Sequence, residues 1–385
     1  MRRQPGRSTK WLRAARRRAE GMRIAADASW TRWTTVGIGR YQDGLLRAVG
    51  SQLGSDDSLT VYFNSSGGVR QFDPPVVERF MRLPNRTLWN QIRVPLELRG
   101  GTDVYLAAGI VGPVLTRVPI VEIVLDCLAF RHPASKTQRD GRYWRRWTKA
   151  TASRARAVIA ISQFVASDCE RFLGVRPADI SVVYPGVSST FFEAHDRHAS
   201  AAAVSTRFSV RSPYVLQVGA YDAHKGGAVA VEAVRELRRS GRDVVLVQCG
   251  ERPAANGERV AGVVSLGHVD DRALLDLYRG AAAVCVASNH EGFGLPVVEA
   301  MACGTPVIAS RAAALPEAGG DVARYVSPGD VRGLSVALTA VLDEGPDAAA
   351  RRRDAGVAWA ARFSWERAAA QVLEVLRRAG SSGRA

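Results

Sequence analysis

Two glutamates and a glycine turn form the part of the sequence best suited to bind an anion together with hydroxyl groups. Glu291 and Glu299 lie eight residues apart, and Gly292 and Gly294 stand between them. Glycine permits a tight turn whose amides approach a ligand closely, and Pro296 suits the first position of a helix. The amides and dipole of such a helix start favour an anion, for which a diphosphate is the right size. Carboxylates accept hydrogen bonds from vicinal hydroxyls, so both glutamates are candidate ligands for them.

Spacing alone leaves a structural interpretation open for both acids. An acid in the first turn of a helix, as Glu299 would be, also stabilises the free amides there. Glu291 would then be an ordinary loop residue. Gly304 is placed to end the predicted helix.

The elements that must position these residues alternate between short apolar runs and amphipathic stretches of helical length. This alternation predicts β-α-β units, parallel sheets and an α/β fold. Strands are predicted at 24–28, 59–63, 104–106, 120–125, 157–161, 180–183, 214–218, 244–248, 263–265, 283–287 and 306–309. Helices are predicted at 41–49, 142–153, 162–173, 228–240, 271–279, 296–303 and 359–378.

The 385 residues exceed what one hydrophobic core usually organises, and the elements fall into two series. A polar, alanine-rich stretch without an apolar period separates them. The predicted divisions are a basic, disordered arm (1–21), an N-terminal domain (22–195), a linker (196–212), a C-terminal domain (213–356), and a helix and tail that cross back to the N-terminal domain (357–385).

The segment from Glu291 to Glu299 resembles the E-x7-E signature of retaining GT-B glycosyltransferases, the nucleotide-sugar-dependent group known as glycosyltransferase family 4. The similarity extends over nearly everything from Met22 to about Arg378. Its motifs are MRIAADAS at 22–29, GIGRY at 37–41, AISQF at 160–164, VYPGV at 183–187, GHVDD at 267–271, LLDLYRGA at 274–281 and FSWERAA at 363–369. The resemblance implies two Rossmann-like domains facing each other across a cleft, with the acceptor on the N-terminal side and the donor on the C-terminal side.

The same resemblance implies roles for individual residues. Glu291 would contact the donor sugar, Glu299 the ribose hydroxyls, and Lys225 would neutralise the diphosphate. The implied donor-binding set is Gly219, His224, Lys225, Gly267, His268, Val269, Glu291, Gly292, Phe293, Gly294, Leu295 and Glu299. Glu291, Lys225 and Asp126 are the catalytic candidates, and Gly37, Gly39 and Arg40 are predicted to form a loop on the acceptor side.

Two positions depart from the family pattern. Ala220 stands where many members carry an arginine after the first glycine, which removes one cation from its usual place; His224 and Arg311 are candidate replacements. Leu125 stands where the family often has a histidine before an aspartate. Asp126 remains as the candidate for a polar role near the acceptor.

Charge and composition restrict the partners. The formal net charge is +16, and residues 1–21 carry eight basic residues against one acidic residue. Such a balance favours phosphorylated substrates, nucleic acid or an anionic membrane surface. Only 7% of residues are aromatic and no nucleic-acid motif occurs, so nucleic acid is not expected. The basic helix around Trp144 and Trp147 is interpreted as a solvated face or as an acceptor or lipid surface.

Cysteine and histidine placement predicts neither disulfides nor a metal site. Cys127, Cys169, Cys249, Cys285 and Cys303 form no C-x-x-C motif and are typical of reduced, buried thiols in a reducing compartment. The pair His195 and His198 has no further ligand nearby. No uninterrupted apolar stretch is long enough to span a membrane, so the expected location is cytoplasmic, with peripheral docking at the inner face of the membrane.

The sequence therefore predicts a retaining glycosyltransferase that moves a hexose from a nucleotide diphosphate sugar to a glycan, lipid-linked or small-molecule acceptor. GDP-mannose is the leading donor, and no cofactor or metal is expected. The alternatives are another GT-B activity, such as a sugar-nucleotide epimerase or a phosphorylase, a basic nucleic-acid-binding protein, or a catalytically silent protein that binds sugar nucleotides.

Overall fold

The computed structural model describes residues 21–31, 37–68, 70–109, 111–132, 138–219, 223–250 and 261–382. The predicted basic arm, apart from Gly21, and the departure at Ala220 lie outside these ranges. The described residues form two α/β domains, each built on a parallel sheet, which confirms the predicted fold class.

The N-terminal domain is built on seven parallel strands in the order β3-β2-β1-β4-β5-β6-β7. The inner strands β4 and β5 are buried along their whole length because helices cover both faces of the sheet. The strands are β1 (Arg23–Asp27), β2 (Ser58–Phe63), β3 (Val77–Phe80), β4 (Val104–Ala107), β5 (Ile120–Val124), β6 (Ala157–Ala160) and β7 (Ile180–Val182). The helices are α1 (Gly37–Ser51), the continuous segment α2 (86–98), α3 (Leu128–Arg131), α4 (Gln138–Arg154) and α5 (163–173).

The C-terminal domain is built on six parallel strands in the order β10-β9-β8-β11-β12-β13. Its strands are β8 (Tyr214–Val218), β9 (Val245–Cys249), β10 (Val263–Gly267), β11 (Ala283–Val286), β12 (Val307–Ser310) and β13 (Arg324–Val326). Its helices are α6 (Arg197–Phe208), α7 (Gly227–Arg239), α8 (Asp271–Gly280), α9 (Leu295–Ala302), α10 (Leu315–Gly319), α11 (Val331–Leu342) and α12 (Pro346–Ala360). The last helix, α13 (Trp365–Ser382), lies against α1 of the N-terminal domain.

The strand order reverses once in each sheet. This happens between β1 and β4 in the first sheet and between β8 and β11 in the second. Helices on the two sides of such a switch point diverge, which leaves a crevice at the carboxyl ends of the strands where ligands bind. The topology therefore offers one crevice in each domain.

The stretch predicted as a linker contains the helix α6. Asp196 caps its first turn by accepting from the amide of His198 at 2.8 Å. Only Ser200 and Val204 of this helix are buried, and they face α8 of the C-terminal domain. The other positions of this helix carry mostly alanine and polar residues, so its sequence shows no clear helical spacing of apolar residues.

The predicted helix 359–378 corresponds to α13 and to the last two residues of α12. Helix α12 ends at Ala360 and α13 begins at Trp365, and between them the chain crosses from one domain to the other. The amide of Val187 donates to the carbonyl of Phe363 at 3.0 Å and holds the crossing segment. Residues 361–364 contain neither proline nor glycine, so the sequence gives no signal for the end of one helix and the start of the next. The predictions also missed β3, β13, the helices α2, α3, α10 and α11, and all but the last two residues of α12.

The residues predicted as an acceptor-side loop are helical. Gly37, Gly39 and Arg40 form the first turn of α1. The glycines favoured a loop prediction, but the buried face of α1, which includes Tyr41 and Leu45, packs into the domain core and stabilises the helix.

The two domains are in direct contact around the cleft. Glu317 of α10 accepts from the amides of Gln163 and Phe164 at 2.7 and 2.8 Å, and from the Tyr184 hydroxyl at 2.9 Å. A carboxylate from one domain therefore caps the first helical turn of the other.

A buried histidine adds a second contact between the domains. The ring of His290 lies 5.6 Å from that of Phe164 and 6.1 Å from that of His132, centroid to centroid. Burial lowers the pKa of His290, which keeps this ring neutral at neutral pH.

Candidate active site

The turn between β11 and α9 joins the two domains. Gly294, with a φ of +112°, precedes α9, and Pro296 occupies its first turn. Gly292 is in close contact with the N-terminal domain, because a Cβ at this position would lie 1.9 Å from the Leu125 carbonyl oxygen. The hydroxyl of Ser162 donates to the Gly292 carbonyl at 2.6 Å. The glycine predicted to approach a ligand thus also lets β5 and β6 approach the turn.

Glu291 is bound to Lys225 at the start of this turn. The Lys225 ammonium lies 2.9 Å from both carboxylate oxygens, and the Ser288 hydroxyl donates at 2.8 Å. Burial alone would raise the pKa of Glu291, but Lys225 and Ser288 outweigh it and hold that pKa below its usual range. The carboxylate is therefore ionised, and one donor of the ammonium remains for another acceptor.

Glu299, one turn into α9, is paired across the cleft. It is 6% exposed and accepts from the Tyr278 hydroxyl at 2.8 Å. A guanidinium nitrogen of Arg40, from the N-terminal domain, lies 3.5 Å from the other carboxylate oxygen. This neighbour raises the pKa of Arg40 despite burial of the guanidinium. Residues assigned to opposite sides of the cleft thus form one ion pair.

These groups surround a cavity of about 400 Å³ between the domains, the central cavity. A volume of this order is typical of small-molecule sites. Of the predicted site residues, those that line it are Gly37, Arg40, Asp126, Gly219, Lys225, His268, Val269, Glu291, Gly292, Phe293, Gly294, Leu295 and Glu299.

Three predicted residues do not line the central cavity. Gly39 is buried within α1. The backbone carbonyl of His224 accepts from the amide of Asn289 at 2.7 Å. The backbone carbonyl of Gly267 accepts from the amide of Gly250 at 2.8 Å. His224 and Gly267 thus hold neighbouring loops by backbone hydrogen bonds, while Gly39 belongs to the helix.

Asp126 and Leu125 follow β5 at the cavity wall. One Asp126 carboxylate oxygen accepts from the amide of Leu128 at 2.9 Å, so it also starts the helix α3. Leu125 is 6% exposed and presents its carbonyl to Gly292. The leucine therefore packs in the domain interface where a histidine would offer a polar ring.

Neither of the two residues predicted to replace the missing arginine, His224 and Arg311, lines the central cavity. Arg311 stacks on the ring of Tyr325 at 4.6 Å and does not line the central cavity. Among the described residues that do line it, Arg40 is a second cation beside Lys225. The signal available in the sequence was the basic residue in GIGRY, which was assigned to the acceptor.

The described part of the chain groups no three His, Cys, Asp or Glu side chains in an arrangement that could hold a metal ion. His195 and His198 are both exposed. All five cysteines are buried and unpaired.

Comparison with known families gives one match for each domain. The family described as Glycosyltransferase Family 4 matches residues 53–191, and the family described as Glycosyl transferases group 1 matches residues 212–344. The two matches divide the chain close to the boundary between the sheets.

Curated relatives cover part of the chain. The MMP alpha-(1->4)-mannosyltransferase of Mycolicibacterium hassiacum is 34% identical over 262 residues, which are 62% of this chain and 60% of the relative. The D-inositol 3-phosphate glycosyltransferase of Xylanimonas cellulosilytica is 34% identical over 57% of this chain and 56% of the relative. The O-antigen chain mannosyltransferase B of Escherichia coli is 39% identical over 35% of this chain and 34% of the relative. The matched part therefore spans about a third to three fifths of these relatives.

Solved structures share the fold over almost the whole chain. HepE of Anabaena, in complex with UDP and glucose, superposes with a TM-score of 0.71 at 18% identity, covering 93% of this chain and 100% of that one. WaaG, a glycosyltransferase involved in lipopolysaccharide biosynthesis, superposes with a TM-score of 0.70 at 16% identity, covering 92% and 99%.

Two parallel-sheet domains that enclose a cleft between them form the GT-B fold, which this chain shares with HepE and WaaG, and a glycosyltransferase family matches each of the two domains. Within that class, its N-terminal domain matches family 4 and its C-terminal domain matches group 1.

Proposed function

We propose that this protein transfers a hexose from a nucleotide diphosphate sugar to a hydroxyl of a glycan, lipid-linked or small-molecule acceptor, with retention of anomeric configuration. The observation that carries the proposal is the central cavity. In it the Lys225–Glu291 and Arg40–Glu299 pairs meet the start of α9.

The charges around the cavity suit a departing nucleoside diphosphate. Negative charge grows on the leaving phosphate as the bond from its oxygen to the anomeric carbon breaks. A fixed cation and a helix start lower the barrier for that step. Lys225 and the amides at Gly294 and Leu295 are the groups we assign to this role, and Glu299 is assigned to the ribose hydroxyls.

Retention is proposed to proceed by attack from the face that the phosphate leaves. The acceptor oxygen forms the new bond to the anomeric carbon, and its proton passes to the leaving phosphate oxygen. Glu291 is engaged by Lys225 and Ser288, which suits orientation of the donor sugar rather than covalent attack. Asp126 is proposed to orient the acceptor.

The donor is proposed to be GDP-mannose. Two relatives carry mannosyltransferase in their names, which supports the sugar, whereas HepE was solved with UDP and glucose. The test is turnover by the full chain with UDP-, GDP- and ADP-hexoses and a panel of glycan acceptors. Transfer with retained configuration by NMR is expected, and isomerised nucleotide sugar without transfer would contradict the proposal.

Two arms of the same assay test the site. Lys225→Ala should lower turnover about a hundredfold or more, since loss of one preorganised charge contact commonly costs that much, while the exposed Arg235→Ala should match the parent. Turnover should persist in EDTA because Lys225 and the α9 start carry the diphosphate charge. Equal activity of Lys225→Ala and the parent, or loss in EDTA that Mg²⁺ or Mn²⁺ restores, would overturn this assignment.

We also propose reversible docking on an anionic membrane surface at the cytoplasmic face. No described helix is long and apolar enough to cross a membrane. Arg142, Arg146 and Lys149 are exposed at helical spacing on α4, and residues 1–21 add a net charge of +7. Basic residues near anionic lipid each contribute about 1 kcal/mol and are screened by salt.

Sedimentation with phosphatidylserine vesicles tests the docking. Binding should be present at low salt, weaken at high salt, and fall in a chain lacking residues 2–21. No binding at low salt would disprove docking, and binding that ignores salt would indicate apolar insertion instead.

A further inference from the structure

A second cavity lies within the N-terminal domain, and none of the predicted catalytic, donor-binding or acceptor-loop residues lines it. Its volume is about 340 Å³. It opens at the carboxyl ends of β1, β2 and β4, where Asp27, Asn64 and Gly109 line it. These strands include β1 and β4, between which the strand order of the sheet reverses. The cavity therefore occupies the ligand crevice of this domain, as the central cavity occupies that of the other.

Two indole rings and a guanidinium form one wall. The ring centroids of Trp30 and Trp144 lie 6.3 Å apart, and the Arg86 guanidinium lies 5.0 and 5.2 Å from them. Cation–π contact with both rings holds this wall in place. The C–H groups on one face of a pyranose carry partial positive charge and pack on the electron-rich face of an aromatic ring.

Polar groups complete the cavity. Asn90 is 5% exposed, and its side-chain oxygen has no hydrogen-bond partner among the described residues. Asp27 is 3% exposed, and one of its oxygens accepts from the Ser29 amide at 2.8 Å. Its other oxygen faces Gly109, where a Cβ would lie 2.0 Å away, so only glycine leaves room for this carboxylate. The Asn90 oxygen is therefore able to accept a hydrogen bond from a ligand hydroxyl.

Charge selects the kind of ligand. Asp27 and Arg86 both line the cavity and carry opposite charges. An anion would meet the carboxylate and a cation would meet the guanidinium, whereas a neutral ligand with several hydroxyls satisfies both. A neutral sugar, with one apolar face and a ring of hydroxyls, matches the aromatic wall and the polar groups together.

The position of the second cavity beside the central cavity indicates that it binds part of the acceptor. Leu125 and Asp126 follow β5 and line the central cavity, while Gly109 follows the neighbouring strand β4 and lines the second one. Adjacent strands lie about 4.8 Å apart, so the two cavities are close on one sheet edge. An acceptor whose reacting hydroxyl lies beside Asp126 can therefore place a neighbouring sugar unit against Trp30 and Trp144.

We propose that this second cavity, the acceptor pocket, binds a neutral hexopyranose unit of the acceptor other than the one that receives the transferred sugar. The inference rests on the proposed function and narrows the acceptor to an oligosaccharide or glycoside. It assigns Trp144 and Trp30 to stacking, and Asp27, Asn90 and Arg86 to the hydroxyls.

The test is glycan binding by the full chain without a donor. The purified protein is applied to an array that carries neutral monosaccharides, neutral oligosaccharides, uronic-acid glycans and sugar phosphates, and the best neutral oligosaccharide is then titrated calorimetrically. Trp144→Ala should bind it about fivefold or more weakly, since aromatic contacts contribute beyond buried area. Trp147→Ala, on the same helix and outside the pocket, should bind as the parent does. Asp27→Asn, which keeps the side-chain shape, should also weaken binding while retaining the parent's circular dichroism.

Nucleotide binding separates failure of this inference from failure of the proposed function. UDP and GDP are titrated into the same samples, and all variants should bind nucleotide as the parent does. Nucleotide binding without binding of any neutral oligosaccharide would overturn the acceptor pocket alone, and so would selective binding of uronates or sugar phosphates. Equal losses in Trp144→Ala and Trp147→Ala would overturn it as well. Failure of the parent to bind any nucleotide would count against the proposed function.

Discussion

At the scale of single residues, Glu299 was predicted to bind ribose hydroxyls, yet its carboxylate already has protein partners. It faces Arg40 of the other domain, at 3.5 Å, within the central cavity. A ribose that binds Glu299 must share the carboxylate with Arg40 or displace it. Displacement would leave the Arg40 guanidinium free to pair with another anionic group in the central cavity.

Glu299→Gln should therefore weaken nucleotide binding by about 10- to 100-fold, because a hydrogen bond to a charged group is worth about 1.5–3 kcal/mol. Arg40 also loses its carboxylate partner in this variant. Calorimetric titration of UDP and GDP measures the effect, with the exposed Glu374→Gln as the matched control. Unchanged affinity in Glu299→Gln would remove Glu299 from the nucleotide site.

Asp27 makes a pH-dependent contribution at the same scale. Burial raises its pKa from 3.8 to about 6, so the folded protein binds this proton more tightly than the unfolded chain does. Ionisation of Asp27 thus lowers the free energy of unfolding as pH rises from about 4 to about 6, by at most about 3 kcal/mol.

Asp27→Asn removes that ionisation, so its stability relative to the parent should increase between pH 4 and pH 6 and stay constant above. Thermal unfolding at pH 4.5 and pH 7.5 checks this, with the exposed Asp56→Asn as control. A difference between variant and parent that is the same at both pH values would contradict the assigned shift.

At the scale of elements, α1 and α13 connect the central cavity to the last helix of the described chain. Gly44 of α1 packs under the indole of Trp365, where a Cβ would lie 2.4 Å from the ring. Tyr41 meets the same indole edge-on, with centroids 5.6 Å apart. Arg40, which precedes Tyr41, is positioned by this packing.

Gly44→Ala should therefore destabilise the protein, although alanine favours a helix by about 1 kcal/mol. Overpacking of this kind costs about 1–3 kcal/mol. The thermal midpoint should fall in Gly44→Ala but not in Gly37→Ala, on the same helix, where a Cβ meets nothing within 4 Å. Gly44→Ala should be tolerated better in a Trp365→Ala background, and strictly additive effects of the two changes would contradict the packing explanation.

At the scale of the whole molecule, Glu317 holds the two domains together by three hydrogen bonds to the N-terminal domain. Glu317→Ala leaves the amides of Gln163 and Phe164 without their carboxylate. The domains should then separate more readily, and kcat/KM should fall about tenfold or more because small misplacements of catalytic groups are costly.

Small-angle X-ray scattering and transfer kinetics test this together. Glu317→Ala should show a larger radius of gyration than the parent and than Glu170→Ala, an exposed acid of the N-terminal domain. An unchanged radius with normal kinetics would show that the capping contact does not control the cleft.

The sequence by itself determined the α/β class, most strand positions and the segment at the base of the cleft. The alternation of short apolar runs with amphipathic stretches and the spacing of Glu291, Gly294 and Glu299 each involve residues close together in the chain. Such features can be read directly from the sequence. The helix α9 begins one residue before the position predicted from Pro296. Elements with few buried residues, such as α6, left too little periodicity to detect.

Only the tertiary structure decided what those residues face. The pairing of Glu299 with Arg40 joins positions 259 residues apart, and the Leu125 carbonyl against Gly292 comes from another domain. The grouping of Trp30, Arg86 and Trp144 likewise depends on three separate elements meeting at one sheet edge. Such contacts follow from how the sheets stack and cross, and no short-range pattern in the chain carries that information.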